Sequence, residues 1–305
     1  MEKIRIAIVG YGNIGKGVCE AATSAPDMEI AGVILRDAST AGAKGVPAGL
    51  TVAEDIGELG KVDVALLCIP SKSVPDLSQK NSAAELLSLG INTVDSYDVH
   101  GDIYDVQQRL HAIGKANNSV AILAAGWDPG IDSMVRAILE AAAPKGLTYT
   151  NFGPGMSMGH TVAAKAIPGV RDALSVTIPL GTGLHRRMVY VQPKDGASFA
   201  DIAATVKADP YFINDDTHVM FAEDIDALRD MGHGVNLVRK GVSGTTDNQL
   251  FEFNMRINNP ALTAQIMVSA ARASMRQPGG CYTLIEIPVI DMLPGCREAI
   301  IRRLV

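Results

Sequence analysis

The feature that most constrains this chain is a glycine-rich turn between a β-branched run and a helical segment. The run covers residues 4–9, the turn reads Gly10-Tyr-Gly12-Asn-Ile-Gly15, and helix formers continue over residues 16–25. Strand, glycine turn and helix in this order form a dinucleotide-binding fingerprint. Its glycines allow the sharp turn, the approach of a pyrophosphate and close helix packing, and the helix N-terminus offers free N–H groups to phosphate. The chain is therefore predicted to begin with a Rossmann-type, doubly wound parallel α/β sheet.

Composition narrows the class of protein. The 305 residues suffice for two domains, and 47% hydrophobic residues can form a sizeable core. The net charge of −6 argues against a nucleic-acid partner. No apolar run approaches the ~20 residues of a membrane span, and the N-terminus enters a strand without a signal peptide. The four cysteines lack a C-x-x-C pair and the histidines lack metal-ligand spacing. We therefore expect a cytoplasmic protein with reduced thiols and no metal.

The end of the predicted second strand, residues 28–35, bears on the choice of cofactor. NAD-preferring versions of this fold carry an acidic residue there that binds the ribose 2′-hydroxyl. Here Arg36 follows the strand and Asp37 comes next. A guanidinium can stack on adenine and pair with a 2′-phosphate, which favours NADP, unless Arg36 is only a solvated strand end. Asp37 could neutralise Arg36 or hold a ribose hydroxyl, so the strength of the NADP preference stays open at this point.

Polar residues follow three further predicted strands, residues 62–69, 91–95 and 120–124. Because the carboxyl ends of parallel strands meet at one edge of the sheet, we expect the residues after these strands at the ligand crevice. The predicted cofactor-binding residues are Gly10, Tyr11, Gly12, Asn13, Ile14, Gly15, Arg36, Cys68, Ile69, Pro70, Ser71, Ser96 and Tyr97.

Two carboxylates stand after successive strands, Asp98 in Asp95-Ser-Tyr-Asp98 and Asp128 in Gly126-Trp-Asp-Pro-Gly130. Their placement predicts a pair of carboxylates beside the nicotinamide. The alternative is that each is a helix cap or a turn residue, positions where Asp is common.

The predicted elements change in kind after about residue 143. Up to that point helices are predicted over residues 73–89, 103–116 and 133–143. Strand signals then dominate until a long apolar helix over 258–277. The strands are predicted at 147–152, 170–179, 187–192, 219–222, 235–239 and 250–257, with a short helix opened by Ser198 and a final helix from residue 294. This pattern indicates a second, α+β domain with a mostly antiparallel sheet. We expect a dinucleotide-binding domain over 1–125, rejoined by 278–305, and a substrate-binding and dimerisation domain over 126–277.

The segment Gly155-Met-Ser157-Met-Gly159 matches G-x-S-x-G, the nucleophile elbow of hydrolases, and His160 follows it. An elbow needs a strand directly before the serine, and Gly153-Pro154-Gly155 is expected to break that strand. The interpretation we favour is a glycine-rich loop that offers backbone N–H groups to an anionic group such as a carboxylate.

Several segments together resemble the meso-diaminopimelate dehydrogenase family over nearly the whole chain. The most specific are Gly126-Trp-Asp-Pro-Gly130 and Phe152-Gly-Pro-Gly-Met-Ser-Met-Gly-His160, supported by the glycine turn, Val94-Asp-Ser-Tyr-Asp98 and Asn258-Asn-Pro260. The brief link between Thr177 and Arg187 is similar to the shorter form of the family. One departure concerns the cofactor: the family often has two adjacent basic residues at the 2′-phosphate, and Asp37 stands in place of one of them.

The resemblance implies an NADP-dependent oxidative deamination of meso-2,6-diaminopimelate at its D-centre. The products are ammonia, NADPH and L-2-amino-6-oxoheptanedioate, which cyclises to tetrahydrodipicolinate; the reverse direction feeds lysine and cell-wall precursor synthesis. The family also implies a homodimer or a larger homo-oligomer, in which the second domain supplies dimer contacts and substrate groups.

The resemblance also implies roles for individual residues. Asp98 and Asp128 would hold the D-centre amino group, and either could accept the proton that the amine must lose before hydride leaves. Taken alone, most of the others would be ordinary surface, strand, turn or cap residues. The implied substrate-binding residues are Trp127 and Phe152 as pocket walls, Met158 and Gly159 through backbone N–H groups to the D-centre carboxylate, Thr177, Arg187 and His233 at the distal carboxylate, and Asn259 at the L-centre polar groups.

Two other functions remain open at this stage. One is another NAD(P)-dependent amino-acid or imine reductase of the same architecture, similar to dihydrodipicolinate reductase. The other is a non-catalytic NADPH sensor, which would bind the cofactor without turnover. The carboxylate pair favours a substrate that carries an amine.

Overall fold

A computed structural model describes residues 3–75, 79–228 and 232–305, without the side chains of Lys72 and Met158. In chain order the strands are β1 (Ile4–Val9), β2 (Met28–Ile34), β3 (Val52–Ala53), β4 (Val64–Leu67), β5 (Asn92–Asp95), β6 (Val120–Ile122), β7 (Lys145–Phe152), β8 (Gly155–Met156), β9 (Val170–Gly181), β10 (Leu184–Pro193), β11 (Asp216–Phe221), β12 (Gly232–Ser243), β13 (Thr246–Asn258) and β14 (Gly280–Tyr282).

The α-helices alternate with the strands in the first half of the chain. They are α1 (Asn13–Thr23), α2 (Ala41–Lys44), α3 (Ala83–Ser88), α4 (Ile103–Asn117), α5 (Ile131–Ala142), α6 (Met158–Lys165), α7 (Phe199–Ala208), α8 (Asn259–Ser274) and α9 (Arg297–Leu304). Within the described ranges, no helix combines the length and the apolar character needed to cross a membrane.

The chain forms two compact units. The first comprises Met1–Met134 with Pro260–Val305, and the second comprises Val135–Asn259. The divisions therefore fall at 134/135 and 259/260, whereas the sequence suggested 125/126 and 277/278. The second division differs because α8 packs with the first unit. Its Ala264, Met267 and Ala271 are fully buried in the same core as Ile6 and Ile8 of β1.

The first unit contains a seven-stranded sheet in the order β14-β6-β5-β4-β1-β2-β3, in which every pair of neighbours is parallel. Alternate residues of β1 enter different cores: Ile6 and Ile8 lie in one cluster, and Ala7 and Val9 lie in the other. A parallel sheet buried on both faces is the doubly wound arrangement predicted from the glycine turn, and this prediction is confirmed.

The second unit holds two sheets. One has four strands in the order β11-β10-β9-β8 and the other three in the order β13-β12-β7. Neighbouring strands are antiparallel except β10 and β11, which are parallel. Helix α7 begins after Ser198, whose hydroxyl accepts a hydrogen bond from the backbone N–H of Asp201, as its sequence predicts.

The crossover helix predicted over 73–89 is shorter in the structure. Helix α3 begins only at Ala83, and residues 76–78 of the predicted helix lie outside the described residues. Asn81 adopts a positive φ of 58°, which interrupts a helix, and the Ser82 side chain caps α3 by accepting from the backbone N–H of Glu85. These local side-chain bonds compete with continued helix, which apolar spacing alone does not reveal.

An ion pair ties α8 to the residue that precedes β2 inside the first unit. The Arg272 side chain is 4% exposed and its Nε and Nη2 atoms donate to both carboxylate oxygens of Asp27, at 2.6 and 2.8 Å. Burial raises the pKa of Asp27, but the hydrogen bonds and charge of Arg272 outweigh it and hold the pKa below its usual range. The stabilisation is therefore present above the ordinary pKa near 4 and is lost as pH falls through the lower, folded-state value.

We expect Asp27→Asn to lower the free energy of unfolding at pH 7 by about 2 kcal/mol, because it leaves the buried guanidinium uncompensated. The figure lies below that of a fully buried pair because the Asp27 side chain is 34% exposed. Glu29→Gln is the matched control, since Glu29 lies two residues further along and forms an exposed pair with Arg5. Urea unfolding measures both variants; equal losses would contradict the role of burial.

Candidate active site

The glycine turn of the first unit has the geometry that a dinucleotide needs. Gly10 has a φ of 90°, and a Cβ on it would lie 2.6 Å from the carbonyl oxygen of Cys68. A Cβ on Gly15 would lie 2.3 Å from the carbonyl oxygen of Gly10. Around Gly12, the residue before α1, no atom of the other described residues beyond its two chain neighbours lies within 4 Å of such a position. The turn is thus closed where the chain packs and open where a pyrophosphate would approach.

A cavity of about 830 Å³ extends from this turn along the ends of β2 and β4. Of the predicted cofactor residues, Gly10, Tyr11, Gly12, Arg36, Cys68, Ile69 and Pro70 line it, whereas Asn13, Ile14, Gly15, Ser71, Ser96 and Tyr97 are not among its lining residues. Lining residues that the sequence reading missed include Thr40, Lys44, Lys80 and Asn81. They lie outside the glycine motif, and only folding brings them to it.

Asp37 is engaged locally. Its Oδ1 accepts hydrogen bonds from the backbone N–H of Ser39 at 2.9 Å and from the Ser39 hydroxyl at 2.6 Å, which caps a short 3₁₀ turn. These bonds hold the pKa of Asp37 below its usual range. Within the described part of the chain Asp37 forms no ion pair with Arg36. The geometry therefore favours a capping role for Asp37 over neutralisation of Arg36.

The predicted carboxylates lie on two loops at the carboxyl edge of the sheet. Asp98 is exposed, and its backbone N–H donates to the Ser71 hydroxyl at 3.3 Å. Trp127 is buried and Asp128 is half-buried in a turn closed by Gly126 and Gly130. A Cβ on Gly130 would lie 1.9 Å from the carbonyl oxygen of Gly126, so only glycine permits this closure.

The second unit assembles a cationic group beside hydroxyl and carboxylate partners. In the sheet register Arg187 of β10 lies opposite Thr177 of β9. Arg187 donates from Nη1 to the Thr177 hydroxyl and from Nε to Asp215 Oδ2 at 2.7 Å. Thr177 is buried and the Arg187 side chain is 16% exposed. The structure thus brings together two of the residues that the resemblance implied for carboxylate binding, and adds Asp215.

The glycine-rich segment after β7 brings His233 to the same region. The Gly153 N–H donates to the Gly234 carbonyl at 2.8 Å, and Gly155 pairs with Thr177 across β8 and β9. A Cβ on Gly155 would lie 2.0 Å from the carbonyl oxygen of Gly232 and 2.7 Å from His233 Cα. Only glycine allows such contact between the strands that carry Thr177 and His233.

Three imidazoles near Arg187 are held neutral at ordinary pH. Burial, followed by the charge of Arg187, lowers the pKa of His160 and of His185, and lowers that of His233 to about 4. His233 Nδ1 accepts from the Gly234 N–H and His185 Nε2 accepts from the Phe152 N–H, both at 2.8 Å. The sequence reading missed His185, whose ring also lies against Phe152.

The G-x-S-x-G segment is not the glycine-rich loop that the sequence predicted. The two-residue strand β8 directly precedes Ser157, and Met158 and Gly159 open helix α6 instead of a loop. Ser157 Oγ lies 2.9 Å from His160 Nδ1, but His160 Nε2 is 3.7 Å from Asp215, which is already bonded to Arg187. Ser157 has an ordinary φ of −88°, and the neighbouring guanidinium opposes an imidazolium. The arrangement therefore does not support a serine nucleophile.

Comparison with known proteins indicates the family of this chain. A sequence model described as the diaminopimelic acid dehydrogenase C-terminal domain matches residues 126–186. The meso-diaminopimelate D-dehydrogenase of Bacteroides fragilis is 62% identical over 308 residues, covering 100% of both chains. The chain belongs to the meso-diaminopimelate D-dehydrogenase family.

Two solved structures agree with this family at the level of fold. The DAP dehydrogenase of C. glutamicum in complex with DAP has a TM-score of 0.87 at 29% identity and covers 100% of both chains. An engineered D-amino acid dehydrogenase bound to NADP+ has a TM-score of 0.80 at 28% identity, covering 99% of this chain and 100% of its own.

We expect the free energy of unfolding to fall as pH decreases from about 6.5 toward 4. In that range the histidines of the unfolded chain bind protons, whereas the buried imidazoles of the folded protein stay neutral. The free energy of unfolding therefore rises with pH. His233→Asn keeps an acceptor for the Gly234 N–H but cannot titrate. Its slope of unfolding free energy against pH should be shallower by up to about 1.4 kcal/mol per pH unit. Denaturant unfolding between pH 4.5 and 7.5 measures this slope, and an unchanged slope would exclude a buried neutral His233.

Proposed function

We propose that this chain catalyses the reversible, NADP-dependent oxidative deamination of meso-2,6-diaminopimelate at its D-centre. Substrate, NADP+ and water yield L-2-amino-6-oxoheptanedioate, ammonium, NADPH and a proton. The full-length identity with a meso-diaminopimelate D-dehydrogenase carries this conclusion. The first unit offers carboxylates, which suit an ammonium group, and the second unit offers a guanidinium, which suits a carboxylate group; the proposed substrate bears both groups.

The cofactor assignment is supported by the first unit. The cofactor supplies the hydride acceptor. Gly12 leaves room for its pyrophosphate beside the N-terminus of α1, and Arg36 lines the cavity at the end of β2. Lys44 lines the same cavity, and the bonds of Asp37 to Ser39 leave Arg36 available for a 2′-phosphate.

In this proposal Asp98 or Asp128 accepts the proton from the D-centre ammonium, directly or through water. A neutral amine can then donate its lone pair as hydride leaves the carbon, and water adds to the resulting imine before ammonia departs. Trp127 and Phe152 are assigned apolar contacts with the substrate, and the backbone N–H groups of Met158 and Gly159 bind the D-centre carboxylate.

The distal L-centre is assigned to the second unit. Arg187 binds the distal carboxylate with Thr177 and His233, and Asn259 binds the L-centre polar groups. The guanidinium is suited to this because it binds a carboxylate through two parallel hydrogen bonds. Holding the distal centre decides which hydrogen of the D-centre faces the cofactor, which gives the reaction its stereospecificity.

The proposal includes a cytoplasmic homodimer or larger homo-oligomer. Free thiols at all four cysteines suit a reducing compartment. Leu147 and Leu250 flank Lys240 in one row of the three-stranded sheet and are 63% and 57% exposed. They offer apolar contact area to a second subunit.

Turnover is followed by absorbance at 340 nm with the meso and L,L isomers and with NADP and NAD. We expect turnover of the meso isomer with NADP.

Arg36→Ala should raise KM for NADP by roughly 10- to 100-fold, the effect of a lost charged hydrogen bond. Asp37→Asn is the matched control, because asparagine still caps the Ser39 turn. An equal effect of both variants would contradict the assignment of Arg36 to the 2′-phosphate.

Replacement of the carboxylates tests the proton acceptor. Asp98→Asn and Asp128→Asn are isosteric, and at least one should lower kcat by roughly 10²- to 10⁴-fold, the usual contribution of general base catalysis. NADPH binding, measured by its fluorescence, should survive in both. Near-normal kcat in both variants would exclude the assignment, whereas cofactor binding without any turnover by the parent protein would favour a sensor.

A further inference from the structure

The loops that carry Asp98 and Asp128 share one buried anchor, Asp95. Asp95 is the last residue of β5 and is fully buried. Its Oδ1 accepts a hydrogen bond from the backbone N–H of Tyr97 at 2.9 Å and a second from that of Ala124 at 3.1 Å. One oxygen atom thus holds the chain one residue before Asp98 and four residues before Asp128.

The main chain of Asp95 adds a third bond to the same loop. Its carbonyl oxygen accepts from the backbone N–H of Ala125 at 2.7 Å. Ala124 adopts a φ of 59°, a left-handed conformation that alanine rarely takes, at the point where the chain leaves β6. The Asp95 carboxylate therefore holds a bend that local preference does not favour, directly before the turn of Trp127 and Asp128.

The position is costly for a carboxyl group. Burial raises the pKa of Asp95 to about 6, and the two backbone hydrogen bonds only partly oppose this. Its Oδ2 is buried and, among the described residues, has no hydrogen-bond partner. Tyr97 and Ala124 are themselves buried, so without Asp95 their N–H groups would lack an acceptor. A carboxyl group at so costly a position, bonded to two buried N–H groups, indicates a role beyond filling the core.

We propose that Asp95 is a positioning residue for the reaction, whose carboxylate fixes the distance between the loop of Asp98 and the loop of Trp127 and Asp128. The inference rests on the proposed function, because it assumes that these two loops hold the reacting amine. Asp95 acts through the backbone of its neighbours and is not assigned contact with substrate.

Two substitutions and a control test this role. Asp95→Ala removes the acceptor, and Asp95→Asn keeps an amide oxygen that can accept both N–H groups. Thr93→Ala is the matched control, since Thr93 lies on the same strand, is fully buried, and has a hydroxyl without a partner among the described residues. It should cost stability without changing the loops. Asp95→Ser, whose hydroxyl is too short to bridge both amides, replaces the alanine variant should that fail to fold.

Trp127 is the single tryptophan of the chain and is 6% exposed, so its fluorescence reports directly on the second loop. We expect a red-shifted emission for Asp95→Ala and the parent emission for Asp95→Asn and Thr93→Ala. Well below the unfolding temperature, Asp95→Ala should lower kcat about 10²-fold, the effect of an ångström of misplacement, with KM for NADP within about twofold. Asp95→Asn should restore most of kcat.

Other outcomes overturn the proposal. Parent emission in Asp95→Ala, with a loss of kcat no greater than in Thr93→Ala, would make Asp95 an ordinary core residue. A shifted emission with unchanged kcat would limit it to stability, and a defect in Asp95→Asn equal to that of alanine would exclude the hydrogen-bond account. Because emission is measured without substrate, it decides the loop contact even if the parent protein fails to turn over meso-diaminopimelate, which separates the two failures.

Discussion

Burial of the parallel sheet on both faces is the constraint on which the first unit depends. From Ile6 to Val9, alternate residues of β1 pack into one or the other of two cores, so every connection must cross a face and return the chain in the same direction. All carboxyl ends therefore meet at one edge. That single consequence brings the glycine turn after β1, the end of β4 and the loops after β5 and β6 together, although the first and the last are more than a hundred residues apart.

A different principle operates in the second unit, where polar partners enclose the guanidinium of Arg187. Arg187 is mostly buried between a hydroxyl, a carboxylate and imidazoles whose pKa values its own charge helps to lower. Neutral imidazoles can donate or accept hydrogen bonds without adding charge. In the proposed function the guanidinium of Arg187 recognises a carboxylate, while Thr177 and Asp215 fix its direction.

Patterns of short range predicted the sequence of elements in the first unit well, because β-branched runs, glycine and helix formers act locally. The same reading overextended the helix before β5, where Asn81 and Ser82 cap a shorter α3, and it placed α8 in the other domain. It also discounted a strand before Ser157. Each difference comes from side-chain capping or from packing partners distant in sequence, which periodicity does not contain.

By itself the sequence determined the glycine turn, the doubly wound sheet and the presence of Asp98 and Asp128 after neighbouring strands, since these follow from local backbone preference and from the geometry of parallel sheets. Only the tertiary structure decided that Asp215 binds Arg187 and that Asp95 joins two loops, because strand register and loop contact depend on the whole fold. Hydrogen bonds between residues 28 positions or more apart leave no periodic trace along the chain.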